Sequence, residues 1–229
     1  MNCRPRFTTA PLLVLIFLSS LHSYAQSSYF ILAIGDSHGA WETGWVNQLR
    51  KLRPQDSIMN VAVSGNTIGF DNLDKASLNE LKNIHQHLIS AEVPTKRIDY
   101  IIVLLGTNDC KAVFDSLQQE VPQNLERLIQ IIVTFEYKQQ NPPGIILATP
   151  PPIDADENLE PKYIGSSDRL RKLLPFYKST AEKYHCSFVN VYIHLLAEFS
   201  SISKDGLHLT EDGYKKVALI INEQIHDKH

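Results

Sequence analysis

Residues 29–39 read Tyr29-Phe30-Ile31-Leu32-Ala33-Ile34-Gly35-Asp36-Ser37-His38-Gly39, an apolar run that ends abruptly in a small, polar turn. The run shows little polar alternation, as a strand covered on both faces should. Four further runs repeat the pattern: Ser57–Val63, Asp99–Leu105, Gly144–Ala148 and Ser187–Val191. Between them lie helical periods carrying Leu78, Leu81, Ile84 and Leu88, then Leu117, Val121, Leu125, Leu128, Ile132 and Phe135. A third carries Leu170, Leu173, Tyr177, Ala181 and Tyr184, and a last one Tyr214, Val217, Ala218, Ile221 and Ile225. Asn141-Pro142-Pro143-Gly144 is a turn that stops the second helix and leads into the fourth strand. Strand–helix alternation predicts a parallel sheet with helices on both faces. The expectation is one α/β domain, a three-layer α/β/α sandwich around a five-stranded, flavodoxin-like sheet.

The bulk numbers agree with a soluble globular fold: 229 residues, 43% hydrophobic and 21% charged, without repeats or low-complexity tracts. A net charge of −3 gives no basic surface for nucleic acid or anionic lipid, so those partners are set aside. The N-terminus reads as a targeting segment. Arg4 and Arg6 precede a short apolar stretch from Pro11 to Leu21, and Ser23-Tyr24-Ala25 places small residues where signal peptidase reads. The apolar run is about half the roughly 20 residues that span a bilayer. Residues 1–25 are therefore read as a signal peptide and 26–229 as the domain. The mature protein is expected to begin at Gln26, to be periplasmic or secreted, and to keep no stable insertion in the membrane.

Cys110 and Cys186 remain after the leader. They fall at opposite ends of the predicted sheet, about 15–20 Å apart, whereas a disulfide needs Cα atoms within about 7 Å. Two free, largely buried thiols are expected.

In an open α/β sheet, ligands bind beyond the carboxyl ends of the strands. Past the first run stands Gly35-Asp36-Ser37-His38-Gly39, past the second Ser64-Gly65-Asn66-Thr67, and past the third Gly106-Thr107-Asn108-Asp109. Asp205-Gly206-Leu207-His208-Leu209 precedes the last helix. Small and hydrogen-bonding residues at all of these ends converge on one place.

The Gly-Asp-Ser block, the isolated glycine, the Gly-x-Asn-Asp block and the Asp-x-x-His block, in that order, resemble the SGNH/GDSL serine hydrolases over Phe30 to His208. A lone Gly-Asp-Ser is explained equally well by a turn; four blocks in order at strand ends are not. The resemblance implies Ser37 as nucleophile, His208 as general base and acid, and Asp205 as the residue that orients His208. It implies an oxyanion hole from the backbone N–H groups of Ser37 and Gly65 and the side-chain amide of Asn108, with no metal and no cofactor. Asp36 is read as holding its turn through backbone bonds, and Asp109 as a cap of the following helix. His38, Trp41 and Phe70 are the candidate substrate contacts. For His38 the alternative is a ring that points away; for Trp41 and Trp45, four apart on one helix, it is the core.

Gly35-Asp36-Ser37-His38-Gly39 also matches the first metal-binding block of metallophosphoesterases. That chemistry needs about half a dozen ligands, and Gly65-Asn66 is followed by Thr67 rather than histidine. A non-catalytic carbohydrate-binding module on the same scaffold is a further alternative, but every catalytic position is intact. The resemblance implies an ester substrate, a small molecule or a polysaccharide. The loops at Asn66–Asp74 and Pro150–Gly165 are polar, which favours a small acyl group, such as acetyl on a carbohydrate, over a lysophospholipid or an acyl thioester.

Overall fold

The computed structural model describes residues 28–226, so the leader expected over residues 1–25 lies outside the described residues. Five strands form one sheet: β1 (Phe30–Gly35), β2 (Ser57–Asn60), β3 (Tyr100–Leu104), β4 (Gly144–Ala148) and β5 (Ser187–Val189). Their order is β2-β1-β3-β4-β5 and every pairing is parallel. The flanking helices are α1 (Ser37–Ala40), α2 (Trp45–Leu52), α3 (Glu80–Thr95), α4 (Val121–Thr134), α5 (Ser166–Lys183), α6 (Val191–Leu196), α7 (Phe199–Ile202) and α8 (Glu211–Asn222). The α/β sandwich expected from the alternation is the fold observed.

Strands β1 and β3 are buried along their whole length, which explains why their sequences show no polar alternation. Their side chains alternate between two cores. Phe30, Leu32, Ile34, Ile101 and Val103 pack against Ile84 and Leu88 of α3, Leu125 and Leu128 of α4, and Leu170 and Tyr177 of α5. Ile31, Ala33, Ile102 and Leu104 pack against Trp45 and Leu49 of α2 and Tyr214, Val217 and Ile221 of α8. Each such fully buried aliphatic side chain stabilises by about 1.5–3 kcal/mol relative to exposure.

The strand order reverses direction between β1 and β3, the switch point at which open α/β sheets open a crevice. Ser37 lies directly beyond β1 and Asn108 beyond β3. Leu78 and Leu117, expected within helices, fall in 3₁₀ turns ahead of α3 and α4. Cys110 and Cys186 are unpaired, Cys110 fully buried and Cys186 partly.

Candidate active site

Asp36 caps α1 by accepting the backbone N–H of His38 at 3.0 Å, and Ser37 is therefore the first residue of a four-residue helix. This sharp strand-to-helix turn places Ser37 at the carboxyl end of the sheet, directly beyond the central strand β1. Its Oγ lies 3.0 Å from Nε2 of His208. Nδ1 of His208 lies 2.7 Å from Oδ2 of Asp205. Asp205 Oδ1 accepts the backbone N–H groups of Leu207 at 3.0 Å and His208 at 2.6 Å, so the carboxylate is fixed on one side by its own loop. An acceptor-only carboxylate at Nδ1 requires a proton there, which leaves Nε2 as the acceptor facing Ser37. Burial pushes the Asp205 carboxyl up, but the bonds from the His208 ring and from the two backbone amides outweigh it. Its pKa ends below the usual carboxylate range.

The loop that carries this pair is tightly closed. Ser203 and Leu209 bridge in antiparallel fashion, and Ser203 Oγ donates to the His208 carbonyl at 2.8 Å. Gly206 turns the chain with φ +73°, and a Cβ there would sit 2.9 Å from Cβ of Asp154. Its carbonyl accepts the Asp154 backbone N–H at 2.9 Å, which ties the loop to the segment after β4.

Gly65 and Asn108 stand on the loops after β2 and β3. Gly65 adopts φ +89°, while a Cβ there would meet its nearest neighbour at 3.3 Å. Backbone conformation is thus the stronger demand for glycine at this position. Asn108 is 2% exposed; its Nδ2 donates to the Asn66 carbonyl at 3.1 Å, and its Oδ1 accepts from the Tyr163 hydroxyl at 3.2 Å. Asn66 in turn donates to the Gly35 carbonyl at 3.3 Å and to Oε2 of the fully buried Glu80 at 2.8 Å. His87 meets the other Glu80 oxygen at 2.9 Å. These contacts stitch together the three loops that carry Ser37, Gly65 and Asn108. Nothing local in the sequence marks Glu80 or Tyr163 for this part, because each acts across a long loop.

Four sequence expectations differ from the structure. Asp109 does not cap a helix: both carboxylate oxygens accept the backbone N–H of Ile68, at 3.0 and 2.9 Å, and so join the loops after β2 and β3. Trp41 and Trp45 do not share a helix. The chain leaves α1 at Trp41 and restarts at Trp45, so Trp45 is fully buried while Trp41 is 40% exposed and stacks on the His208 ring at 4.1 Å. His38 is 1% exposed and its Nδ1 meets the Tyr214 hydroxyl at 3.1 Å, so its ring braces α1 against α8 and offers no surface to a ligand. Phe70 is likewise packed inside, stacked on Phe114 at 4.6 Å.

A row of buried titratable groups underlies the site. Burial pushes Asp36 and Asp109 each up to about 7, and burial holds His38 down at about 3. Thr107 Oγ1 comes close enough to Asp36 to lower its pKa somewhat, yet Asp36 Oδ2 and Thr107 Oγ1 both lack a partner at full hydrogen-bond geometry. A carboxyl raised in the folded state contributes stability that is complete below its unfolded value of 3.8 and is lost as pH climbs to about 7. Asp36→Asn keeps the acceptor for the His38 amide and removes the ionisation. The variant's Tm is expected to gain on wild type as pH rises from 3.8 to about 7 and to hold that lead above it, as read by paired thermal melts. A constant difference across that range would place the Asp36 carboxyl outside the buried, neutral state.

An open cleft of about 320 Å³ lies beside the Asp205–His208 pair, bounded by these two residues and by Trp41, Thr43, Lys204, Leu209, Thr210 and Glu211. A larger hollow of about 660 Å³ between α4 and α5 contains none of the candidate residues. Among the described residues no group of three His, Cys, Asp or Glu side chains gathers closely enough to hold a metal, and no helix is long and apolar enough to cross a membrane. Asp36 and His38, the pair a metallophosphoesterase would use, are engaged instead with α1 and Tyr214.

The fold recurs in known structures. A carbohydrate acetylesterase family member from Sinorhizobium meliloti superposes with a TM-score of 0.69 at 20% identity, over 85% of this chain and 96% of that one. An aryl esterase of M. smegmatis superposes with a TM-score of 0.70 at 20% identity, over 86% and 98%. In sequence, an acetylxylan esterase of Xylanibacter ruminicola is 26% identical over 137 residues, 54% of this chain. The match covers only 28% of that relative's length. The model of the GDSL-like lipase/acylhydrolase family matches residues 31–216, nearly the whole described domain. The chain belongs to that family and is an SGNH-type esterase.

Proposed function

We propose that the protein removes acetyl groups from a carbohydrate through a Ser37–His208–Asp205 acyl-enzyme mechanism. Ser37 Oγ attacks the ester carbonyl as His208 Nε2 takes its proton, and Asp205 supports the imidazolium that results. The negative charge on the carbonyl oxygen is met by the N–H groups of Ser37 and Gly65 and the amide of Asn108. Collapse of this intermediate expels the alcohol, which receives the proton from His208. Water then enters, gives its proton to His208 and attacks the acetyl-Ser37 ester. Acetate leaves and Ser37 is reprotonated.

The observation that carries the sugar reading is Trp41. Its ring covers His208 on one face while 40% of the residue stays open to solvent at the mouth of a polar-rimmed cleft. An aromatic face beside a general base suits the apolar face of a pyranose ring. Apart from Trp41 and Leu209, the cleft is bounded by polar residues, so a long acyl chain would have no apolar cover. Relatives described as a carbohydrate acetylesterase and an acetylxylan esterase support the same class. Export, as the leader implies, would bring such an enzyme to polysaccharide.

A series of p-nitrophenyl esters of increasing chain length tests the acyl side, and acetate release from acetylated polysaccharides tests the carrier. The value of kcat/KM is expected to be greatest for acetyl and to fall at least about 10-fold by octanoyl. A rise toward octanoyl, with no acetate from any polysaccharide, would favour a lysophospholipase or thioesterase.

A further inference from the structure

The carboxamide of Asn108 must present an N–H, rather than its oxygen, to a substrate oxyanion. An amide can rotate by half a turn and reverse these ends. Two neighbours decide the matter. The Asn66 carbonyl can only accept, so the Asn108 amino group must face it, at 3.1 Å. The Asn108 oxygen then faces the Tyr163 hydroxyl, which donates to it at 3.2 Å. Of the two amino hydrogens, one is committed to Asn66; among the described residues the other has no protein partner.

Tyr163 is built for this task. It closes a 3₁₀ turn (Pro161–Tyr163) in the segment after β4 and is only 7% exposed. The ammonium groups of Lys111 and Lys162 lie 5.6 and 5.4 Å from its ring centroid. Burial pushes the Tyr163 phenol up, which keeps it protonated and therefore a donor.

We propose that Tyr163 is a positioning residue for transition-state stabilisation, its hydroxyl locking the Asn108 carboxamide with one N–H aimed at the reacting carbonyl. This rests on the reading of Asn108 as an oxyanion donor. Tyr163→Phe keeps the ring and removes only the hydroxyl, leaving the Asn108 oxygen unpartnered and its amide held by the Asn66 carbonyl alone.

The test is a double-mutant cycle with kcat referred to the folded fraction measured by circular dichroism. Tyr163→Phe should lower kcat by about 10-fold with KM within about twofold. Inhibition by an acetyl trifluoromethyl ketone, whose adduct with serine is an oxyanion, should weaken by the same factor. Asn108→Ala alone should lower kcat by about 10²–10³, and Tyr163→Phe should cost nothing further in that background. Equal losses from Tyr163→Phe in both backgrounds, or a fall in stability with kcat unchanged, would overturn the positioning role. If Asn108→Ala left kcat intact while Ser37→Ala abolished it, the oxyanion assignment would fail and this proposal with it, the serine mechanism standing.

Discussion

Replacing Ser37 by alanine is expected to lower kcat by about 10⁵–10⁶, with the Tm almost unchanged. The size of the loss follows from what the hydroxyl does. Its Oγ lies 3.0 Å from His208 Nε2, and in the proposed mechanism this one atom is both nucleophile and proton donor to the base. Without it, His208 has nothing to activate except water, and no acyl-enzyme forms. The effect on the fold should be small because Ser37 opens a short helix that Asp36 caps, and that cap is made by the Asp36 side chain and the His38 amide. Residual turnover would come from the oxyanion donors and from substrate binding alone. Activity within about 10-fold of wild type would remove Ser37 from the chemistry.

Asp205→Asn should give the second largest loss, about 10²–10⁴ in kcat. Asparagine can still accept the Leu207 and His208 amides through its oxygen, so the loop should survive. Its amino group would then face Nδ1, 2.7 Å away in the wild type, and two donors cannot share that contact. The imidazole would be driven to the other tautomer, placing a proton on the nitrogen that must accept from Ser37. With the Asp205 side chain 55% exposed, water softens the loss of charge, which argues for the lower half of the range. In the wild type the carboxyl sits below the ordinary carboxylate range, so mild acid should not remove its support of His208. Steady-state kinetics of Asp205→Asn at neutral pH decide the matter: near-normal kcat would take Asp205 out of the triad.

Much of this was legible in the sequence, and the reason is local. Strands β1 and β3 announce themselves because both of their faces are buried, and the polar blocks stand where those strands end. The serine turn and the Asp205–His208 loop are short segments whose spacing fixes their geometry. Most of the misreadings concern side chains whose partners are distant. Asp109 looks like a helix cap until Ile68, 41 residues earlier, supplies the amide. Tyr163 meets Asn108 across 55 residues, and no pattern around Pro161 marks it. Trp41 and Trp45 show a helical spacing, but Glu42-Thr43-Gly44 breaks the chain between them, leaving one ring over His208 and the other in the core. The second strand ends at Asn60 rather than Val63. Its continuation still donates from Val61 and Val63 to the backbone of β1, so the chain bends away gradually toward Gly65.

Covalent capture reads out whether Ser37 is the acyl-accepting nucleophile. The protein would be treated with an alkyl fluorophosphonate, digested and read by mass spectrometry, with activity followed in parallel. One phosphonyl adduct per molecule is expected, on Ser37, growing in step with loss of esterase activity and absent from Ser37→Ala. A metal chelator should leave that activity unchanged. Full esterase activity after prolonged exposure to the phosphonate, or inactivation with the adduct on another residue, would contradict that role for Ser37.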